Sequence, residues 1–186
     1  MKIFIISDTH FYHENIIKFE NRPVDNVEQI ITNWNKVVGE KDLVIHLGDV
    51  IFGHGKDIEL PKLMARLNGK KVLTRGNHDS YPESKWGDWD WFMERGFDFV
   101  CDYFVYGDIA FSHAPLTPLP FKSPNAYNEQ VRLNIHGHLH RGNVRGNEGQ
   151  EDRFFDVKYF LANQDKYKLI QIEDELRPFT FEEIIL

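Results

Sequence analysis

The chain has 186 residues, 41% of them hydrophobic, which suits one compact domain over 1–186 with a sizeable core. Asp and Glu outnumber Lys and Arg by 29 to 22, and the formal charge of -7 gives no footprint for gripping extended nucleic acid by its phosphates, while leaving room for a small phosphate offset by bound cations. The single Cys101 excludes a disulfide-stapled secreted scaffold and fits a reducing, cytoplasmic setting, and no apolar run approaches the roughly 18 residues of a membrane span.

The apolar run Ile3-Phe4-Ile5-Ile6 reads as a fully buried strand, and it meets Ser7-Asp8 too soon to act as a signal-peptide core. Val27, Ile30, Ile31, Trp34, Val37 and Val38 then recur at helical spacing over 26–38. Leu43-Val44-Ile45-His46-Leu47 repeats the strand signal, Ile58 to Leu67 the helix signal, and Lys71-Val72-Leu73-Thr74 gives a third strand. This alternation predicts parallel strands joined by right-handed crossovers, with ligands at their carboxyl ends. From about residue 97 the pattern changes to short strand-like segments at 97–101, 103–106, 109–112, 133–136, 154–157 and 167–172. They predict a second sheet, mostly antiparallel. Segments 81–91 and 114–130, rich in Trp and Pro respectively, read as surface loops near the site.

Five polar clusters sit at the ends of apolar runs: Asp8-Thr9-His10, Gly48-Asp49, Gly76-Asn77-His78-Asp79, Ser112-His113 and Gly137-His138-Leu139-His140. A buried strand that stops at a carboxylate or imidazole delivers that group to one sheet edge, where several can converge on a cation. In an extended backbone Asp8 and His10 point the same way, as do His138 and His140. Gly48 lets the chain approach Asp49 closely, and that carboxylate has two oxygens with which to bridge two ions. Asn77 offers a neutral oxygen, leaving the adjacent His78 to face a substrate. Asp8, His10, Asp49, Asn77, His113, His138 and His140 are too many ligands for one tetrahedral ion. Shared through Asp49, they suit two divalent cations about 3.5–4 Å apart, the arrangement that clamps attacking and leaving oxygens in phosphoryl chemistry. Mixed N and O donors favour Mn, with Fe, Zn, Co or Ni as substitutes, over Mg or Ca.

These five blocks, in this order, resemble the signature D-x-H, G-D, G-N-H-[DE], H and G-H-x-H of the calcineurin-like metallophosphoesterase superfamily over residues 8–140. The resemblance implies an α/β fold: a four-layer αββα sandwich, two mixed sheets flanked by helices, with metals along one edge. It also implies that Asp8, His10 and His140 hold one metal, that Asn77, His113 and His138 hold the other, and that Asp49 lies between. His78 matches the histidine that contacts phosphate and protonates the departing oxygen. The implied reaction is hydrolysis of a phosphate ester by in-line attack of a metal-bound hydroxide. Where the phosphoprotein-phosphatase branch reads G-D-x-x-D-R-G, this chain has Phe52 and Gly53 in place of the later Asp and Arg. That departure favours a small bacterial- or phage-type phosphodiesterase acting on a small or nucleotide-type ester, and leaves Asp79 as the candidate partner orienting His78.

Other residues lie near the blocks. Arg75 and Arg141 flank the third and fifth and offer two-pronged phosphate contacts, with a solvated surface arginine as the plain alternative. His13, His46, His54 and His136 are candidates for supporting positions rather than ligands. Tyr12, Tyr81, Trp86 and Trp89 could stack on a base, or simply pack a loop. The competing functions are a non-catalytic metal-binding module on the same fold, whose chain would be expected to have lost a ligand or the acid, and a protein or nucleotide phosphomonoesterase.

Overall fold

The computed structural model describes residues 1–52, 56–79, 89–116, 131–140, 168–172 and 176–186. In chain order the elements are β1 (Ile3–Ile6), α1 (Ile16–Phe19), α2 (Asn26–Val37), β2 (Leu43–His46), α3 (Lys56–Met64), β3 (Lys70–Thr74), α4 (Trp89–Met93), β4 (Phe99–Cys101), β5 (Tyr103–Tyr106), β6 (Ile109–Ser112), β7 (Leu133–His136), β8 (Lys168–Gln171), β9 (Phe179–Thr180) and α5 (Phe181–Ile185). They build two mixed sheets, one ordered β4-β3-β2-β1-β9 and the other β5-β6-β7-β8. In the first, β1, β2, β3 and β4 run parallel and β9 antiparallel, as strand-helix alternation requires.

Side-chain alternation along the strands separates two cores. Phe4 and Ile6 of β1, Val44 of β2, Leu73 of β3 and Val100 of β4 face the helices, where Ile30, Ile31 and Trp34 of α2, Leu60, Leu63 and Met64 of α3 and Phe92 of α4 close over them. Ile5 and Ile45 point the other way and meet Phe111 and Ile135 of the second sheet, with Leu47 and Ile172 beside them. The apolar stripe expected over 26–38 thus forms one face of α2, although Val37 stays exposed. Trp34 is buried, and its Nε1 donates to the carbonyl of Asn68 at 2.9 Å, tying α2 to the turn before β3.

The second sheet differs from the expectation of mostly antiparallel pairing. Among the described residues only β5 and β6 of this sheet pair antiparallel, while β6–β7 and β7–β8 are parallel. Residues 113–132 and 137–167 intervene, which is ample for crossover connections; the missing helix signal there hid the parallel direction. Strand β4 also leaves the expected second sheet and pairs with β3, Val72 opposite Phe99 and Thr74 opposite Cys101. Only Asp102 then separates it from β5, so the chain passes between sheets in a single residue. The strand expected at 154–157 lies outside the described residues. Helix α5 was signalled by an unread capping box: Thr180 Oγ1 accepts from the Glu183 N–H at 3.2 Å while a Glu183 carboxylate oxygen accepts from the Thr180 N–H at 2.6 Å.

Leu73 is fully buried between sheet and helices. Leu73→Ala is expected to destabilise the protein by about 2–5 kcal/mol in urea denaturation, and a loss below about 1 kcal/mol would contradict a close-packed core at that point.

Candidate metal centre

Because β1, β2 and β3 are parallel, the chain leaves all three at one edge of the first sheet, and β6 and β7 end in register alongside in the second. The five polar clusters follow those five strands. The backbone there is not extended, however. Asp8, His10, Asp49, His138 and His140 have φ of 53°, 45°, 55°, 70° and 48°, all in the left-handed region that non-glycine residues seldom occupy. Strand alternation therefore does not bring Asp8 and His10, or His138 and His140, to a common side as expected. Tight left-handed turns aim them instead, and they send His138 and His140 into different groups.

In the first group, His10 Nε2 lies 3.2 Å from His140 Nε2, and Asp8 Oδ1 is 4.0 Å from the former and 3.7 Å from the latter. In the second, His113 Nε2, His138 Nδ1 and Asn77 Oδ1 lie 3.0–3.1 Å apart. Asp49 Oδ2 stands between the groups, 3.5 Å from both His10 Nε2 and His113 Nε2. All seven expected ligand positions are thus gathered.

Hydrogen bonds turn each donor inward. Asp8 Oδ2 accepts the His138 N–H at 3.0 Å, and among the described residues the buried Asp8 Oδ1 has no hydrogen-bond partner. Asp49 Oδ1 accepts the His78 N–H at 2.9 Å, which aims Oδ2 at the imidazoles. His113 Nδ1 lies 2.8 Å from the Leu47 carbonyl, so Nδ1 carries a proton, and the neutral tautomer selected by this contact has its lone pair on Nε2. With the amide oxygen inward, Asn77 Oδ1 and His113 Nε2 are then two acceptors at 3.0 Å with no proton between them. Burial, reinforced by His140, pushes His10 down to about 2, so its imidazole is neutral and able to donate electrons at ordinary pH.

Two donors each about 2.0–2.2 Å from one ion and roughly 90–110° apart lie about 3–3.6 Å from each other. The 3.0–3.1 Å separations of the second group and the 3.2 Å between His10 and His140 match that spacing, and Asp8 Oδ1, at 3.7–4.0 Å, would close on a cation in the first group by a few tenths of an ångström. Asp8, His10 and His140, and likewise Asp8, Asp49 and His113, each bring three ligand atoms within 4.8 Å of one another.

Two glycines make the approach possible. A Cβ on Gly137 would stand 1.8 Å from Ser7 Oγ and 2.3 Å from Asp8 Oδ2, and one on Gly48 would stand 2.7 Å from His113 Nδ1. Asp79 corrects an expectation: it does not orient the His78 ring. Its buried carboxylate accepts the N–H groups of Asp49 (2.7 Å), Val50 (2.9 Å) and Gly76 (2.7 Å), locking the second motif to the third. Burial and the nearby Asp49 raise its pKa, with the backbone N–H bonds opposing them.

His78 stands beside the groups with its Nε2 4.0 Å from Asp49 Oδ2, and its ring meets Phe52 edge-to-face at 5.0 Å. Arg75 is engaged elsewhere, its Nε 3.0 Å from Asp102 Oδ1 and its guanidinium 5.8 Å from the Trp89 ring. Arg141, His54, Tyr81 and Trp86 lie outside the described residues, and Tyr12 is exposed. His136 is buried in β7 with its Nδ1 2.9 Å from the Gly137 carbonyl. Sequence reasoning missed Arg22. It is buried, and its guanidinium donates to the carbonyls of Thr9, at 2.6 Å, and Asp8, holding the first motif in place. Glu20 was missed as well, and its carboxylate is 3.9 Å from His140 Nδ1. Neither has a periodic or motif signal.

His46 is a buried tie between motifs: its Nδ1 accepts the Gly48 N–H at 3.2 Å and its Nε2 lies 2.9 Å from Thr9 Oγ1. Burial lowers its pKa from 6.5 to about 3. The unfolded chain then takes up this proton near pH 6.5 while the folded one resists it, so the stability due to neutral His46 is intact above about 6.5 and declines as pH falls toward 3. Urea denaturation at pH 7.5 and 5.5 is expected to show a larger loss for the natural protein than for His46→Gln, by roughly 1 kcal/mol over the whole interval. Parallel losses would contradict it.

Comparison with known proteins agrees with the geometry. The model of the calcineurin-like phosphoesterase family matches residues 1–142. An uncharacterized protein of Methanocaldococcus jannaschii is 51% identical over 86 residues, 44% of this chain and 49% of that protein, so the chain spans about half the length of the curated relative it matches. A protein of unknown function, AQ665 from Aquifex aeolicus, superposes with a TM-score of 0.68 at 27% identity, covering 98% of this chain and 97% of that one. A novel archaeal phosphodiesterase superposes with a TM-score of 0.45 at 22% identity, over 94% of this chain and 84% of that one. With the family's model covering every polar cluster that the two sheets bring together, the chain belongs to the calcineurin-like phosphoesterases.

Proposed function

We propose that the chain is a two-metal phosphodiesterase built as one metallophosphoesterase domain over 1–186. The observation that carries this reading is the position of Asp49 Oδ2, equidistant at 3.5 Å from an imidazole of each group. Asp8, His10 and His140 would hold one divalent cation, Asn77, His113 and His138 the other, and Asp49 both. When bound, the pair supplies Lewis-acid stabilisation of a phosphoryl group and a lowered pKa for water. Manganese suits the mixed imidazole and carboxylate donors best, with Fe, Zn, Co or Ni as substitutes.

The remaining chemistry falls to the chain's own residues. His78 is outside both donor groups, and its side chain is 38% exposed, so it can meet a substrate while its backbone N–H holds Asp49. Its Nε2, 4.0 Å from an Asp49 carboxylate oxygen, delivers a proton to the departing ester oxygen. Asp79, Arg22 and the Leu47 carbonyl keep the donors fixed during the reaction, which is the role of preorganisation in phosphoryl transfer. The acidic balance of 29 to 22 supports a small or nucleotide-type ester as substrate over extended nucleic acid, and the lone Cys101 supports a cytoplasmic site of action. Phe52 in place of the phosphoprotein-phosphatase aspartate supports a diester over a phosphoprotein.

Protein stripped by a chelator and reloaded with Mn²⁺ is expected to hydrolyse bis-p-nitrophenyl phosphate, and no turnover with any divalent metal would end this reading. His78→Asn is expected to keep two metal ions per chain by elemental analysis while losing about 10²–10⁴ in kcat. Unchanged turnover would remove His78 from the proton transfer.

A further inference from the structure

The first and second motifs are joined by more than the candidate cation sites. Phe11 and Ile51 form a short parallel bridge, Phe11 N–H donates to the Val50 carbonyl at 2.8 Å, and Phe52 N–H donates to the Phe11 carbonyl at 3.1 Å. This zipper places the Phe52 ring between two imidazoles. Its centroid is 4.2 Å from that of His13, tilted by 35°, and 5.0 Å from that of His78, at 82°. His13 and His78 are also ranged about His10, at 5.5 and 5.4 Å between centroids.

His13 is aimed rather than accidental. The preceding Tyr12 has φ 62°, and the turn is closed by the His13 N–H donating to the His10 carbonyl at 3.0 Å. A strained residue before a half-buried imidazole is the kind of local cost that marks a functional position. Among the described residues the imidazole makes no hydrogen bond, and Nδ1 is buried without a partner. An unmet polar atom of that kind costs about 1–3 kcal/mol unless something else satisfies it. As a cation ligand it would be a further donor to the first group, where Asp8, His10 and His140 already bring three ligand atoms within 4.8 Å of one another.

We propose that His13 is a further substrate-contacting residue: seated with His78 against the ring of Phe52, its imidazole donates a hydrogen bond to a phosphoryl oxygen of the bound ester. Phe52 is the positioning residue for the pair. This rests on the phosphoesterase reading for its substrate, but its binding arm can be tested without turnover.

The test uses Mn²⁺-loaded full-length protein and inorganic phosphate as probe, with calorimetric titration, elemental analysis and bis-p-nitrophenyl phosphate kinetics run in parallel. His13→Asn is expected to keep two metal ions per chain, to weaken phosphate binding about 10–100-fold, as for loss of a hydrogen bond to a charged group, and to lower kcat/KM by a similar factor. Phe52→Leu should move both quantities in the same direction, Phe52→Tyr should restore them, and Phe52→Leu should add little in a His13→Asn, His78→Asn background. Unchanged phosphate binding in His13→Asn overturns the proposal, and so does loss of one metal ion, which would make His13 a ligand. If the natural protein binds phosphate through His13 yet turns over no ester with any metal, the phosphoesterase reading fails and the assignment of His13 stands.

Discussion

The site depends on the placement of one carboxylate. Asp49 must present a single oxygen midway between His10 and His113, and four hydrogen bonds fix it there. Its N–H is held by Asp79, its carbonyl accepts the His10 N–H at 2.9 Å, its Oδ1 accepts the His78 N–H, and the next N–H along, that of Val50, returns to Asp79. The arrangement puts a second buried carboxylate behind the first, which is costly: Asp79 is desolvated and repelled by Asp49. Three backbone N–H donors offset that cost, each worth more to an ionised acceptor than to a neutral one. Asp79 thus acts on the site through backbone N–H groups rather than through the His78 ring. It converts the spacing between two loops into the position of Asp49.

The same economy governs charge. Asp8, Asp49 and Asp79 are all buried near one another, and Arg22 supplies a buried positive group that binds backbone carbonyls of the first motif. Four imidazoles crowd the space between, and burial keeps His10 neutral. Carboxylate oxygens and ring nitrogens converge there, a donor set that positive charge from outside the chain would offset. Backbone strain is concentrated at the same place, since five of the seven proposed ligands have left-handed φ. Such residues cost of order 1 kcal/mol or more each and persist where the surroundings over-determine them. Here the surroundings are the Arg22, Asp79 and Leu47 contacts and the close approach at Gly48 and Gly137.

Much of this was legible in the residues, and the boundary of legibility has a physical cause. Apolar runs ending in Asp, Asn or His gave all seven donor positions, because burial of a strand and delivery of a ligand at its end are one local pattern. The helix over 26–38 followed from periodicity, and the parallel direction of β1, β2 and β3 from the alternation of strand and helix. The pairing of β4 with β3 did not, because a three-residue strand has no period and its partner is chosen by packing under α4. Arg22, Glu20 and the clamp made by Asp79 were invisible for a related reason: each acts through a side chain reaching a backbone or ring remote in sequence, and no spacing rule encodes that. The extended-backbone reading of Asp8-Thr9-His10 failed because strand geometry stops at Ile6, and the turns beyond it obey hydrogen bonding instead.

The two donor groups also say how fold and site are linked. Asp8 and His10 come from the first sheet and His140 from the second, while Asn77 comes from the first and His113 and His138 from the second. Each group is therefore incomplete without both sheets. What holds the sheets in register is the apolar layer of Ile5, Ile45, Leu47, Phe111, Ile135 and Ile172 directly behind the motifs, together with the His113 contact to the Leu47 carbonyl, which crosses the seam. A shift of that layer by even part of an ångström would alter donor separations that are now 3.0–4.0 Å, a range in which two atoms either can or cannot share one ion. Cations bound across the seam would in turn resist separation of the sheets. By linkage, whatever free energy the apolar layer spends on fixing the register reappears as affinity for the ions, and whatever the ions contribute reappears as stability of the sandwich.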